Sequence, residues 1–333
     1  MTSDKKNDVK PEHNDWTPPE SQKYVAVRSR KPWVLTLLLI GLSSLTIRAL
    51  FSNDFGHSSL LYIAVPFGIS VLIAAFRPIN STDEWWHAYR DHIFFALVVF
   101  LGSSIVLFEG FICVLFFMPI YFFVVTVMFF LRHWYRQARA KRRGNTLAFA
   151  LPVLILATSF EGTTDSLSFE RDSRVTVIRN VSLSAPEILS NIALPFDLQK
   201  ERGWLISIFP MPYHIEAGSL QSGDVHRVHT RYHRWFATNT HEGMIELQIV
   251  DVEPNRVSTR FISDTSYFAS YLTAKKTEIV LREISPTETE ITLHIDYERK
   301  LDPAWYFHPL QQFGVTQMAD FLIDEVMIRE NSN

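Results

Sequence analysis

The stretch "ETEITLHIDYERKLDPAWYFHPLQQFGVTQMADFLIDEVM" (residues 288–327) changes its period half-way, and the fold is read from that change. Up to Glu298 apolar and polar residues alternate, the period-two pattern of a strand with one buried face. Asp302-Pro303 follows, a good cap and then a residue tolerated in the first helical turn, and the pattern beyond it is helical to about Arg329. Phe307, Leu310, Met318, Phe321 and Leu322 fall largely on one side of that helix, with Pro309 expected to break or kink its first turns. A long helix with one apolar side is expected to lie on a sheet.

The sheet is read upstream of it. Residues 174–183, 224–236, 243–252, 256–263 and 276–284 alternate as strands do, with turn-like "EPN" and "SPT" between some of them. "APEILSNIAL" (185–194) reads as a short helix with Ser184 as its cap and Pro186 near its first turn. Strand, short helix, several antiparallel strands and one long C-terminal helix is the expected order.

That order, carried by "VTVIRNVSLSAPEILSNIAL" (175–194), "GMIELQIVDVEPNRVSTRF" (243–261) and the stretch quoted first, resembles the helix-grip fold of the START-like (SRPBCC) superfamily. That superfamily includes plant pathogenesis-related allergens and bacterial polyketide cyclase-like proteins. The resemblance covers residues 171–329, about half the chain. It implies a sheet curled around the long helix over an apolar cavity used for lipids, sterols, polyketides or other hydrophobic ligands. It is nearly silent on the ligand, and no catalytic motif of the family carries over.

The first half of the chain has a different character. Apolar runs at 33–51, 59–76, 93–108, 111–131 and 147–160 predict an all-α transmembrane bundle of four or five helices ahead of the α+β domain. Glu109-Gly110 is the expected turn between the third and fourth runs, because one helix over 93–131 would be nearly twice too long for a bilayer. "STDEWWHAYRDH" (81–92) reads as a short interfacial helix with Ser81 and Glu84 in capping-box spacing and an aromatic belt of Trp85, Trp86 and Tyr89. That reading is preferred to a haem or quinone site on His87 and His92. Arg48, near the far end of the first run, is expected to snorkel to the interface.

Residues 1–32, expected to be a disordered tail, hold seven Lys or Arg, and 132–143 hold six. By the positive-inside rule both are cytoplasmic, as in a bacterial inner membrane. Nothing at the N-terminus reads as a cleavable signal peptide. The 147–160 run is short for a bilayer, but its basic flank before and unbasic "EGTTDS" after favour crossing over an interfacial lie. Crossing puts the 171–329 domain outside the cytoplasm.

Chemistry is less legible. A net charge of −3 with basic residues concentrated beside apolar runs argues against nucleic acid as a partner. The single cysteine, Cys113, excludes a disulfide framework or cysteine metal cluster. His229 and His233 would share a strand face about 13 Å apart, too far for one ion, and His226 faces the other way. "HEGMIE" lacks the second histidine of a zincin motif, Ile245 standing in its place. No metal, cofactor or catalytic residue is therefore assigned. Val228, Tyr232 and Phe236 point the even face of that strand inward, leaving Arg227, His229, Arg231 and His233 as a basic stripe. Arg227 and Arg231 are the candidates for contact with anionic headgroups. Trp204, Phe209, Tyr213, Tyr306 and Phe321 are the aromatic candidates for a cavity wall.

The expected function is membrane-anchored binding of a hydrophobic or lipid-like small molecule, with membrane lipids as partners. The alternatives are a cyclase- or hydrolase-type enzyme using the same cavity and a structural or assembly protein without ligand. Oligomeric state is not fixed by the sequence.

Overall fold

The computed structural model describes residues 31–53, 55–76, 85–107, 111–140, 147–197, 211–235 and 238–329. The N-terminal tail, Ser81 with Glu84, the Glu109-Gly110 turn, Trp204, Phe209 and Phe236 lie outside them.

The C-terminal half forms one antiparallel sheet in the spatial order β1-β8-β7-β6-β5-β4-β3-β2. Its strands are β1 (Asp172–Val181), β2 (Phe196–Asp197), β3 (Met211–Glu216), β4 (Val225–Trp235), β5 (Thr238–Glu253), β6 (Arg256–Asp264), β7 (Leu272–Ser285) and β8 (Glu288–Arg299). The alternation read from sequence appears directly in β8, where Thr289, Ile291, Leu293, Ile295, Tyr297 and Arg299 are buried and their neighbours are partly open.

Two helices complete this half, α6 (Ala185–Ala193) and α7 (Ala304–Leu322), the second ending in a π-turn over Ile323–Met327. Ser184 caps α6 in the expected place, its backbone N–H donating to the Glu187 carboxylate at 2.8 Å. Along α7, Val315, Ala319 and Ile323 pack with β1 and β8 residues such as Val177 and Leu293, whereas Phe321 packs with Ile215 of β3 and Val228 of β4. Laid flat, eight strands would be about 33 Å across. One helix reaches both ends only because the sheet curls around it, which is the helix-grip arrangement. Pro309 does not break α7, which runs through it.

The N-terminal half is helical: α1 (Lys31–Ser52), a π-turn (Leu60–Ala64) leading into α2 (Val65–Phe76), α3 (Trp85–Leu107), α4 (Phe111–Ala140) and α5 (Leu147–Thr158). Three stretches, Val34–Ser52, Trp85–Leu107 and Val114–Gln137, are long and apolar enough to cross a membrane. Leu60–Ala75 is shorter, and the twelve residues of α5 reach only about 18 Å.

The separate interfacial helix expected before the third run is absent as such. With no proline between Trp85 and Leu107, the helix continues, and Trp85, Trp86 and Tyr89 form its first turns. They still cluster, Tyr89 stacking on Phe130 at 5.6 Å and Trp85 lying 6.3 Å from the same ring. His92, expected near an interface, is buried between helices with Nε2 2.9 Å from Ser70 Oγ. Arg48 is exposed, as the snorkelling reading requires.

The two halves share a core. Leu301 and Phe307 belong to the same buried cluster as Tyr62, Val65, Phe100 and Tyr121 of the helical half, and the Phe307 ring meets Tyr62 edge-on at 4.7 Å. The Tyr306 hydroxyl donates to the Phe116 carbonyl at 2.5 Å. The domain therefore seats on the end of the helical unit that carries the end of α1 and the start of α4. Arg132 and Arg136 lie towards the far end of α4.

Candidate functional site

A cavity of about 600 Å³ lies between the sheet, α7 and the helical unit. Its sheet wall follows from strand alternation interrupted by bulges. On β7, Leu272 and Ala274 point inward; one extra residue between Ala274 and Lys276 shifts the parity, and Thr277 and Ile279 continue the wall. On β4 the inward residues are the even ones, His226, Val228 and Thr230, in the phase read from sequence. From α7 come Phe307, Gln311, Gly314, Met318 and Leu322, spaced by three or four residues along one stripe, with Leu310 beside them. The helical unit supplies Ile47, Tyr62, Val65, Phe100 and Phe117, residues whose role nothing in the sequence pattern marked.

The few polar groups at the wall are held in place. His226 places Nε2 2.8 Å from the Ser219 carbonyl; a carbonyl only accepts, so that nitrogen carries the hydrogen. The Tyr271 hydroxyl donates to that of Tyr267 at 3.0 Å, and Tyr267 stacks on Tyr232 at 4.5 Å. Gly243 of β5 has no room for a side chain: a Cβ there would stand 2.5 Å from the Thr265 carbonyl oxygen, so glycine lets the loop after β6 pass close above the strand.

The aromatic candidates from sequence lie elsewhere. Tyr213 is half-buried beneath the guanidinium of Arg231, which sits 4.5 Å above its ring. Tyr306 faces α4, and Phe321 is packed between α7 and the β3–β4 end of the sheet. None of the three is among the residues that line the cavity. Arg227 and Arg231 are on the outer face as expected, but each has a carboxylate opposite: Arg227 Nε is 3.1 Å from Glu246 and Arg231 Nε 3.0 Å from Glu242. His229 meets Glu216 at 2.8 Å. The outer face is a ladder of cross-strand ion pairs, continued by Arg174 with Asp296, whose carboxyl this guanidinium holds below the usual range. Glu298 likewise pairs with Lys275 at 3.1 Å. Among the described residues, no group of three His, Cys, Asp or Glu is placed to hold a metal ion.

Beside the cavity the halves are joined by backbone hydrogen bonds next to a buried ion pair. Asp302 does not cap α7 but is fully buried, bonded to Arg299 and, at 2.7 Å, to Arg171. The capping role falls to Glu161, whose Oε1 accepts the Ala304 N–H at 2.7 Å. Burial pushes the Glu161 carboxyl above its usual range, opposed by the Ala304 hydrogen bond and reinforced by the Asp302 charge. Gly162, at φ 80°, lets the chain turn with no Cβ to strike Asp302. The Asp302 N–H donates to the His57 carbonyl at 2.9 Å, and Ser59 N–H to the Glu161 carbonyl at 2.9 Å.

Solved structures similar to this chain match about half of it. A START superfamily protein from Mycobacterium smegmatis is 14% identical over 46% of this chain and 96% of its own, with a TM-score of 0.30. The Zhui aromatase/cyclase from Streptomyces sp. R1128 is 11% identical over 46% and 88%, with a TM-score of 0.29. Norcoclaurine synthase from Thalictrum flavum, solved with dopamine and hydroxybenzaldehyde, is 14% identical over 48% and 90%, with a TM-score of 0.30. No protein-family model and no curated sequence matches the chain. The strand order and the reach of α7, rather than these likenesses, carry the fold.

Proposed function

We propose that this protein binds a hydrophobic, lipid-like molecule in a cavity built jointly by its helix-grip domain and its membrane helices. The observation that supports the reading is the composite wall. Its volume falls in the range of ordinary ligand sites, its lining is predominantly apolar, and part of that lining comes from apolar helices that include three of bilayer-spanning length. The reading needs the whole chain, because a fragment starting after α5 would lose the wall supplied by Tyr62, Val65 and Phe117. Purified full-length protein, released from detergent in a native mass spectrometer, is expected to retain a bound apolar molecule. Uniformly ligand-free protein that also fails to take up a photoreactive long-chain alcohol would sink the reading.

Orientation is part of the same proposal. The domain seats at the end of the helical unit opposite the basic stretch that closes α4, so the positive-inside rule places the domain outside the cytoplasm and makes α5 the return crossing. A compartment-sensitive reporter fused after Asp165 is expected to report the outside, and one after Gly144 the inside. Both reporting inside would mean that α5 does not cross and that the domain faces the cytoplasm.

A further inference from the structure

Resting on that binding reading, we propose that the ligand is an uncharged lipid-like molecule carrying a hydrogen-bond donor, such as a hydroxyl, and that Gln311 accepts this donor within the cavity. Gln311 lies on the cavity-lining stripe of α7, and its Nε2 donates to the Tyr271 carbonyl at 3.0 Å. Because a carbonyl cannot donate, this bond fixes which way the amide faces and leaves Oε1 as the end to be satisfied. Oε1 is buried and has no hydrogen-bond partner. A buried acceptor without a donor is destabilising, and a ligand hydroxyl would remove that penalty.

The charges at the wall point the same way. Among the described residues no Lys or Arg lines the cavity, and its one carboxylate is Asp264, whose Oδ1 accepts the Ser266 N–H at 2.8 Å. Of the two histidines at the wall, His226 is tied to the Ser219 carbonyl and His57 sits at the seam between the halves. A carboxylate or phosphate head would be taken from water to face an orphan carbonyl oxygen and an aspartate, with no fixed cation to pair with it. The neutral hydroxyls of Tyr267 and Tyr271, beside the carbonyl that holds Gln311, are compatible with a hydroxyl head.

The test compares three photoreactive sixteen-carbon probes on the full chain in lipid nanodiscs: the primary alcohol, its methyl ether and the carboxylate, the last at about pH 8 where it is ionised. The alcohol is expected to bind about five-fold more tightly than the ether, the difference one hydrogen bond makes, and at least about ten-fold more tightly than the carboxylate. Gln311→Leu, which keeps the bulk and removes the acceptor, is expected to erase the alcohol's advantage over the ether. If alcohol, ether and carboxylate label wild-type protein equally, or the carboxylate is preferred, the inference is wrong while the binding function survives. If no probe labels the protein, both fall. Should Gln311→Leu fail to fold, the wild-type ratios alone decide.

Discussion

Replacing Arg299 with methionine is expected to destabilise the folded chain by about 3–5 kcal/mol, the usual consequence of stranding one member of a buried ion pair. Arg299 and Asp302 are both 0% exposed. Arg299 also donates to the Leu301 carbonyl, so the substitution leaves a buried carbonyl as well as a buried carboxylate short of a donor. Arg171 still reaches Asp302 from the other side, which places the effect nearer the lower bound.

The damage should not stay local. Asp302 is followed two residues on by the Ala304 N–H that Glu161 caps, and its own N–H reaches the His57 carbonyl, so the junction between domain and helices loosens with it. Thermal unfolding of full-length protein in nanodiscs, followed by tryptophan fluorescence, measures the loss, and faster proteolysis near Glu161 marks the undocking. Changing both partners, Arg299→Met with Asp302→Leu, is expected to recover much of the stability, because no unpaired charge remains. A single variant within about 1 kcal/mol of wild type would mean that the pair contributes no more than a surface one.

How much of this could be read in advance differs between the halves for a physical reason. A sheet with one wet face writes its orientation into the sequence: the six long strands overlap the stretches that alternation marks, and α6 follows its Ser184 cap. The same alternation carried an unread message: Ile291, Leu293, Ile295 and Tyr297 face inward, so Arg299 must too, and an inward arginine requires a buried acid. Local sequence grammar makes Asp302 a cap, and its pairing with Arg299 and Arg171 overrides that role.

In the helical half the apolar runs mark helices but not their surroundings. Leu45 is exposed while Ile47, two residues on, lines the cavity, and both are simply apolar in the sequence. Membrane, neighbouring helix and cavity all accept the same side chains, so a wall contributed from α1, α2, α3 and α4 leaves no periodic trace. The aromatic candidates failed to mark the cavity for a related reason. Tyr213, Tyr306 and Phe321 are no different in the sequence from Tyr62, Phe100 and Phe307, which do line it, and small residues such as Ala274, Thr277 and Thr230 border the same open space.

Ala274→Phe should abolish retention of the long-chain alcohol, lowering its affinity at least about ten-fold, with thermal stability unchanged or slightly raised. Ala274 is on the inward face of β7 just before the bulge, so a ring at that position projects into a void rather than into packed atoms. Phenylalanine also suits a strand better than alanine, and burying its ring is favourable, so the usual penalty of overpacking does not apply where space is already open. The ligand loses the volume the ring takes. Val250→Phe is the matched control, since Val250 is 49% exposed on the outward face of β5 and the same ring there leaves the cavity untouched. Titration of the photoreactive alcohol against wild type and both variants separates the cases. Weakening by Ala274→Phe alone places the ligand in the composite cavity; equal binding by all three proteins places it elsewhere, on the apolar outer surface of the helices or the exposed rim of the domain.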